Sequence, residues 1–201
     1  MKKNSCYILL DRSGSMEHHW QETIGSVNGF VAGLNDETEV TLATFDSISY
    51  DVIRKINAKD WRKVSGEEVL PRAGTPLLDA SVRFFWNVLD SKPDKAVIVI
   101  ITDGHENESK KFNKNEVSSL TKQLEEKGYE LIFLGANFDK INENVSYYRD
   151  SNTAYSSARS LSMTSANFTG TMGLLSEKAV NYFNSGKPVE FTEEEKKDAV
   201  K

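Results

Sequence analysis

Two short apolar runs, each closed by an aspartate, constrain this chain most. The first is Cys6-Tyr7-Ile8-Leu9-Leu10, ending at Asp11. The second is Ala96-Val97-Ile98-Val99-Ile100-Ile101-Thr102, ending at Asp103-Gly104. Runs of β-branched and apolar residues without alternation read as strands buried on both faces, the pattern of a parallel sheet covered by helices. The second run is the clearest central strand in the sequence.

Helical and strand patterns alternate around these runs. From Glu17 to Leu34 the apolar positions Trp20, Ile24, Val27, Phe30, Val31 and Leu34 predict an amphipathic helix. Residues 39–45 and 48–56, separated by Asp46-Ser47, predict an antiparallel hairpin at a sheet edge. Residues 57–74 are polar and irregular. Thr75-Pro76 then opens a helix to about Leu89, with Thr75 as N-cap and Pro76 in the first turn. A helix over 113–127, capped by Gly128, leads to a strand over 129–134 closed by Gly135. A short helix around 138–146 and a weak edge strand near 152–156 follow. Residues 158–185 read as one long helix, or two joined near Gly170 and Gly173. Thr192-Glu193-Glu194-Glu195 has a capping-box pattern and starts a short tail helix without an apolar stripe, expected to be solvated. The expected architecture is α/β: a mainly parallel central sheet with one antiparallel edge strand and helices on both faces. One domain spans 1–186, with a polar tail over 187–201.

At 201 residues the chain is long enough to bury a full core. Its net charge of −5 gives no footprint for nucleic acid. Cys6 is the single cysteine, so no disulfide framework arises within the chain. A buried, inert thiol is the expected state of Cys6. The first apolar run is too short for a signal peptide, and no run reaches transmembrane length. These features set the expectation of a cytoplasmic protein without membrane contact.

In sheets of this kind ligands bind beyond the carboxyl ends of the strands, near the switch point in strand order. If the two runs are neighbours, Asp11 and Asp103 reach the same end. Asp11-Arg12-Ser13-Gly14-Ser15 adds two hydroxyls, and Thr75 can arrive from its own loop. Asp11, Ser13, Ser15, Thr75 and Asp103 then form a set of hard oxygen donors, suited to Mg²⁺, Mn²⁺ or Ca²⁺ over Zn²⁺. Each residue alone has an ordinary explanation, as a cap, a turn residue or a helix start. Their joint pattern does not.

Asp11-x-Ser13-x-Ser15, then Gly74-Thr75-Pro76-Leu77-Leu78-Asp79-Ala80, then Ile101-Thr102-Asp103-Gly104 resembles the von Willebrand factor A (vWA) family in order, spacing and context. The resemblance covers about residues 5–185 and implies a three-layer Rossmann-like fold. It also implies a metal-ion-dependent adhesion site (MIDAS) with Asp11, Ser13, Ser15, Thr75 and Asp103 as metal ligands, some of them acting through water. Ala73 departs from the many members that carry a second glycine there. The compact form resembles stand-alone vWA proteins of bacteria and their phages. The function so implied is metal-dependent protein binding: Mg²⁺, or alternatively Mn²⁺ or Ca²⁺, completes its shell with an Asp or Glu from a partner protein. In some relatives, movement of the C-terminal helix is coupled to the ion; the 158–185 segment, with Gly170 and Gly173, is the candidate counterpart, set against the default expectation of a packing helix that does not move.

Two other classes compete. A haloacid dehalogenase-like phosphatase also uses an Asp after its first strand, but needs a second Asp two residues on, where this chain has Ser13. No nucleophilic triad, Walker loop, H-E-x-x-H or dinucleotide fingerprint is present, so no enzymatic activity is expected. A scaffold or assembly subunit with a structural metal is the other alternative. His18, His19 and His105 lie near the expected site without zinc-ligand spacing and read as rim residues. Glu106, Asn107 and Glu108 read as a solvated loop at the rim. Arg12, Arg72 and Lys110 flank the expected cleft, where they can attract an acidic partner, although isolated surface charges fit equally. Trp61 and Trp86 read as structural, Trp86 continuing the face of Leu78, Val82, Phe85 and Leu89.

Overall fold

The computed structural model describes residues 3–103, 106–135, 160–162, 164 and 167–200. The expected helix at 138–146 and edge strand at 152–156, together with His105 and Met163, lie outside the described residues. Strands β1 (Asn4–Asp11), β2 (Glu39–Phe45), β3 (Tyr50–Asn57), β4 (Lys95–Ile101), β5 (Glu130–Gly135) and β6 (Ser160–Ser162) form one sheet. Its order is β3-β2-β1-β4-β5-β6. All neighbours are parallel except the β2–β3 hairpin at one edge. The expected sheet class therefore holds.

Helices α1 (Trp20–Ala32), α2 (Leu77–Ser91), α3 (Lys114–Glu126), α4 (Phe168–Ser185) and α5 (Glu193–Ala199) complete the described part. The pleat of β1 sorts its side chains between two cores. Cys6, Ile8 and Leu10 face the α1 and α4 side, with Val27, Phe30, Met172 and Leu175. Tyr7 and Leu9 face the α2 and α3 side, with Val82, Phe85, Val117 and Leu124. Cys6 is fully buried, and burial pushes its thiol far above the ordinary range, as expected for an inert group.

Several local expectations are corrected. The helix expected from Glu17 begins instead with a 3₁₀ segment, Gly14–His19, before α1 proper. Thr75 does not cap α2: Pro76 occupies the N-cap position and no side chain of its own caps the helix. The caps come from another loop. Glu106 Oε2 accepts from the Leu78 amide at 2.8 Å, and Ser109 Oγ accepts from the Asp79 amide at 3.1 Å. Gly128 does follow α3 with φ of 74°, the left-handed conformation that glycine adopts without a Cβ penalty. Leu161 lies in β6, paired with Leu134, and not in the final long helix. That helix is one unbroken element, with Gly170 and Gly173 in its first turns.

The tail helix is mostly exposed, as expected, but the tail is anchored at three buried positions. Val189, Phe191 and Ala199 are buried in the same core as α4, and Glu195 meets Lys178 at 2.9 Å. Two of these anchors precede the helix in an extended stretch, so no helical stripe announces them. The Thr192–Glu195 capping box is formed as expected. Trp86 is also corrected: it is 46% exposed, resting edge-on against Phe112 at 5.2 Å. The helix turns it away from the side that Val82 and Phe85 bury. Trp61 is half-buried and donates to Asn28 Oδ1 at 3.0 Å.

This division between core and rim sets a stability contrast. Replacing buried Ile98 by Ala removes methyl groups from a strand covered on both sides, with an expected loss of about 2–5 kcal/mol in urea unfolding. Trp86→Ala, at a half-exposed position, is expected to cost less than about 2 kcal/mol in the same measurement.

Candidate metal centre

The chain crosses from β3 to β4 over the sheet, so strand order reverses between β1 and β4. Leu10 and Ile101 are register partners there, and the next residues of both strands emerge together. Asp11 is fully buried. Its Oδ1 accepts from the Ser13 amide at 2.7 Å, and its Oδ2 accepts from Thr102 Oγ1 at 2.6 Å. Ser13 Oγ and Ser15 Oγ lie 3.1 Å apart, and Ser15 Oγ donates to Asp103 Oδ1 at 2.8 Å. Asp11, Ser13, Ser15 and Asp103 are thus brought into one connected group of oxygens. Thr75 is also buried. Its amide donates to Asn107 Oδ1 at 2.9 Å and its carbonyl accepts from the Asn107 amide at 3.2 Å.

The loop that leads into Thr75 is tied to the loop that follows Asp11. The Gly14 amide donates to Ala73 O at 3.0 Å, and the Arg72 amide donates to Arg12 O at 2.8 Å. Ala73 has φ of 61°, so this position takes the backbone conformation that glycine favours even though it carries a methyl group. Gly74 answers a different need, since a Cβ there would lie 2.5 Å from Glu108 Cγ.

Arg12 does not flank an open cleft. It is buried, donating from Nε to Asp46 Oδ2 at 2.7 Å and from Nη2 to Asp51 and Ser49. Arg72 Nε donates to the same Asp46 oxygen at 2.9 Å, and the Ile48 and Ser49 amides donate to Asp46 Oδ1. These donors, the Arg72 side chain first, outweigh burial and hold the Asp46 carboxyl below the usual range. The cluster ties the turn after β2 to the loops bearing Ser13 and Thr75. Asp46 follows a buried strand as Asp11 does, and that placement was its available sequence signal. Thr102, Asp79, Glu106 and Asn107 were likewise missed as positioning residues. Asp79 accepts from the Lys110, Lys111 and Phe112 amides. Glu106 and Asn107, read as solvated loop, in fact hold α2 and Thr75.

Burial pushes the Asp11 carboxyl up to about 7, opposed by the Thr102 and Ser13 hydrogen bonds and reinforced by the charge of Asp103. A desolvated carboxylate that binds a proton in place of a cation, with hydroxyls grouped around it, suits a divalent ion chemically. Among the described residues no group of three or more His, Cys, Asp or Glu forms a metal cluster. His18 is exposed and His19 half-buried.

The model of the von Willebrand factor type A domain matches residues 6–169. The chain belongs to this family. The vWA domain resembles, in its fold, the von Willebrand factor type A protein from Catenulispora acidiphila, at 13% identity and TM-score 0.64 over 90% of this chain and 43% of the other. It also resembles the pilus adhesin SpaC from Lactobacillus rhamnosus GG, at 15% identity and TM-score 0.66 over 91% of this chain and 31% of that one. Manganese-loaded TRAP protein from Plasmodium vivax aligns at 15% identity and TM-score 0.58, over 84% and 71% of the two chains. The vWA domain thus spans less than half the length of the first two. No curated protein matches it.

Two outcomes are expected for this vWA domain. Asp46→Ala leaves the buried Arg12 guanidinium without its fully buried anion, with only the half-exposed Asp51 remaining, at an expected cost of about 3 kcal/mol in chemical unfolding. The second concerns pH. The folded-state pKa of Asp11 is raised, so the unfolded chain ionises first as pH rises from about 4. Metal-free stability relative to Asp11→Asn should therefore fall as pH rises through that window, and level off above about 7. Paired thermal melts across pH check this.

Proposed function

We propose that this vWA domain is a divalent-cation-dependent protein-binding module. Asp11, Ser13, Ser15, Thr75 and Asp103 hold Mg²⁺, with Mn²⁺ or Ca²⁺ as alternatives. The observation that carries this reading is the connected oxygen group of Ser13, Ser15 and Asp103 beside the buried Asp11 carboxyl. The bound ion supplies an electrophilic coordination position for a carboxylate from another protein. The chain's own residues do the remaining work. Thr102 and the Ser13 amide orient Asp11. Asn107 anchors the backbone on both sides of Thr75, and Arg12 with Asp46 fixes the spacing of the loops. Two carboxylates would balance the formal charge of a divalent ion, and the remaining ligands, Ser13, Ser15 and Thr75, are weakly donating hydroxyls that would leave it a Lewis acid.

The partner is a protein presenting Asp or Glu, and the proposed setting is the cytoplasm. The pilus adhesin among the fold neighbours is in keeping with a binding role. Ser13 at the position where a phosphatase needs its second Asp also disfavours hydrolysis.

Thermal melts in millimolar Mg²⁺ or Mn²⁺ against chelator test the reading. Cation at one hundred times its Kd is expected to stabilise the wild type by about 2.7 kcal/mol. Asp11→Ala is expected to lose that response, and Ser15→Ala, at an exposed ligand, to weaken it without altering the fold. No cation response in the wild type would sink the proposal.

A further inference from the structure

We infer that the partner carries a second acidic residue, three or four positions from the one that reaches the ion, held in a cationic groove beside Thr75. This rests on the metal-dependent reading above and names the chemistry of the partner. The groove, a cavity of about 240 Å³, opens between the turn after β2, the first turns of α2 and residues 108–112. Its floor along α2 is Pro76, Asp79, Ala80 and Arg83, at helical i, i+3, i+4 and i+7 spacing. It therefore starts at the residue after Thr75 and runs along the helix.

The charges of this groove are unequal in availability. Its anions are largely engaged: Asp46 by two arginines, and Asp79 by three backbone amides. Glu108 stands 3.7 Å from Lys110. Its cations are Arg83, Lys110 and Lys111, all exposed. Among the described residues no carboxylate pairs with Arg83 or Lys111. Arg83 is also oriented, its guanidinium lying 4.3 Å from the centre of the Tyr50 ring. A locally cationic groove on a chain of net charge −5 favours an acidic segment over a basic one. Ile48, 68% exposed on the turn, offers apolar cover to a residue between the two acids.

The spacing follows from element geometry. Pro76 to Arg83 is seven residues of helix, about 10 Å of rise. An extended chain covers that in about three residues. A partner acid at the Pro76 end of the groove, next to Thr75, thus places the third or fourth residue along the chain at Arg83 and Lys111.

The probe is a random heptapeptide phage library, panned in Mn²⁺ and eluted first with chelator and then with acid, each pool being sequenced separately. It is panned on the wild type and on Arg83→Glu/Lys111→Glu, both checked for matching thermal melts; Arg83→Gln/Lys111→Gln replaces the latter if reversal unfolds it. Wild-type pools should be enriched in acid pairs three or four apart. Variant pools should keep one acid and lose the second. A synthetic wild-type winner should bind the variant at least about tenfold more weakly, and less so at high salt. Identical acid pairs in both pools, single acids in the wild-type pool, or no enrichment would overturn the inference. Pools whose second acid depends on Arg83 and Lys111, but which chelator fails to elute, would instead overturn the metal reading and leave the groove.

Discussion

Covering β1 and β4 on both faces leaves their polar business to their ends. From Cys6 to Leu10 and from Ala96 to Ile101 every side chain is buried in one of the two cores, so a charged group has nowhere to stand until the run stops. Asp11 stands at that point and is still without solvent. Its carboxyl needs donors from its own loop and from Thr102, and with these alone it holds a proton to near neutral pH. The depth of the sheet thus sets the chemistry of the loop above it. A shallower aspartate would be an ordinary surface acid.

Loops that leave separate strands do not stay aligned through apolar packing, because little apolar surface remains beyond the strand ends. Here a buried ion cluster takes over. Asp46 receives Arg12 from one loop, Arg72 from another and two amides of its own turn. Such an arrangement adds little net stability over a well-packed apolar one, since desolvation offsets much of the attraction. What it provides is direction: each hydrogen bond fixes one loop relative to the next. Asn107 and Glu106 repeat the device on the other side of Thr75.

Strand and helix patterns carried most of the fold because burial on two faces leaves an unbroken apolar run, as at 96–101, that few other structures tolerate. That Asp11, Ser13, Ser15 and Asp103 come together was legible for the same reason, each lying just past such a run. The supports were not. Asp46, Glu106 and Asn107 act through contacts with residues tens of positions away, and no local pattern distinguishes a carboxylate that caps a distant helix from one in solvent. Arg12 was misread because an arginine beside a loop aspartate looks exposed until its partner across the sheet is known. Val189 and Phe191 were misread because an extended anchor has no period to detect. Trp86 errs in the opposite sense: a helical stripe fixes which residues are apolar, not how wide the covered face is.

The last long helix is fastened at both ends. Lys95, at the start of β4, donates to the carbonyls of Tyr182 and Phe183 near its close, each at 2.8 Å. At its opening the tail folds back, where Asp198 O accepts from Asn167 Nδ2 at 2.9 Å and Ala199 O from the Thr164 amide at 3.1 Å. Phe168 borders a small cavity shared with Asp103. A rod pinned in this way cannot slide along its axis without freeing both fastenings. Loss of the tail would therefore release the opening of α4, the end at which Phe168 shares a cavity with Asp103.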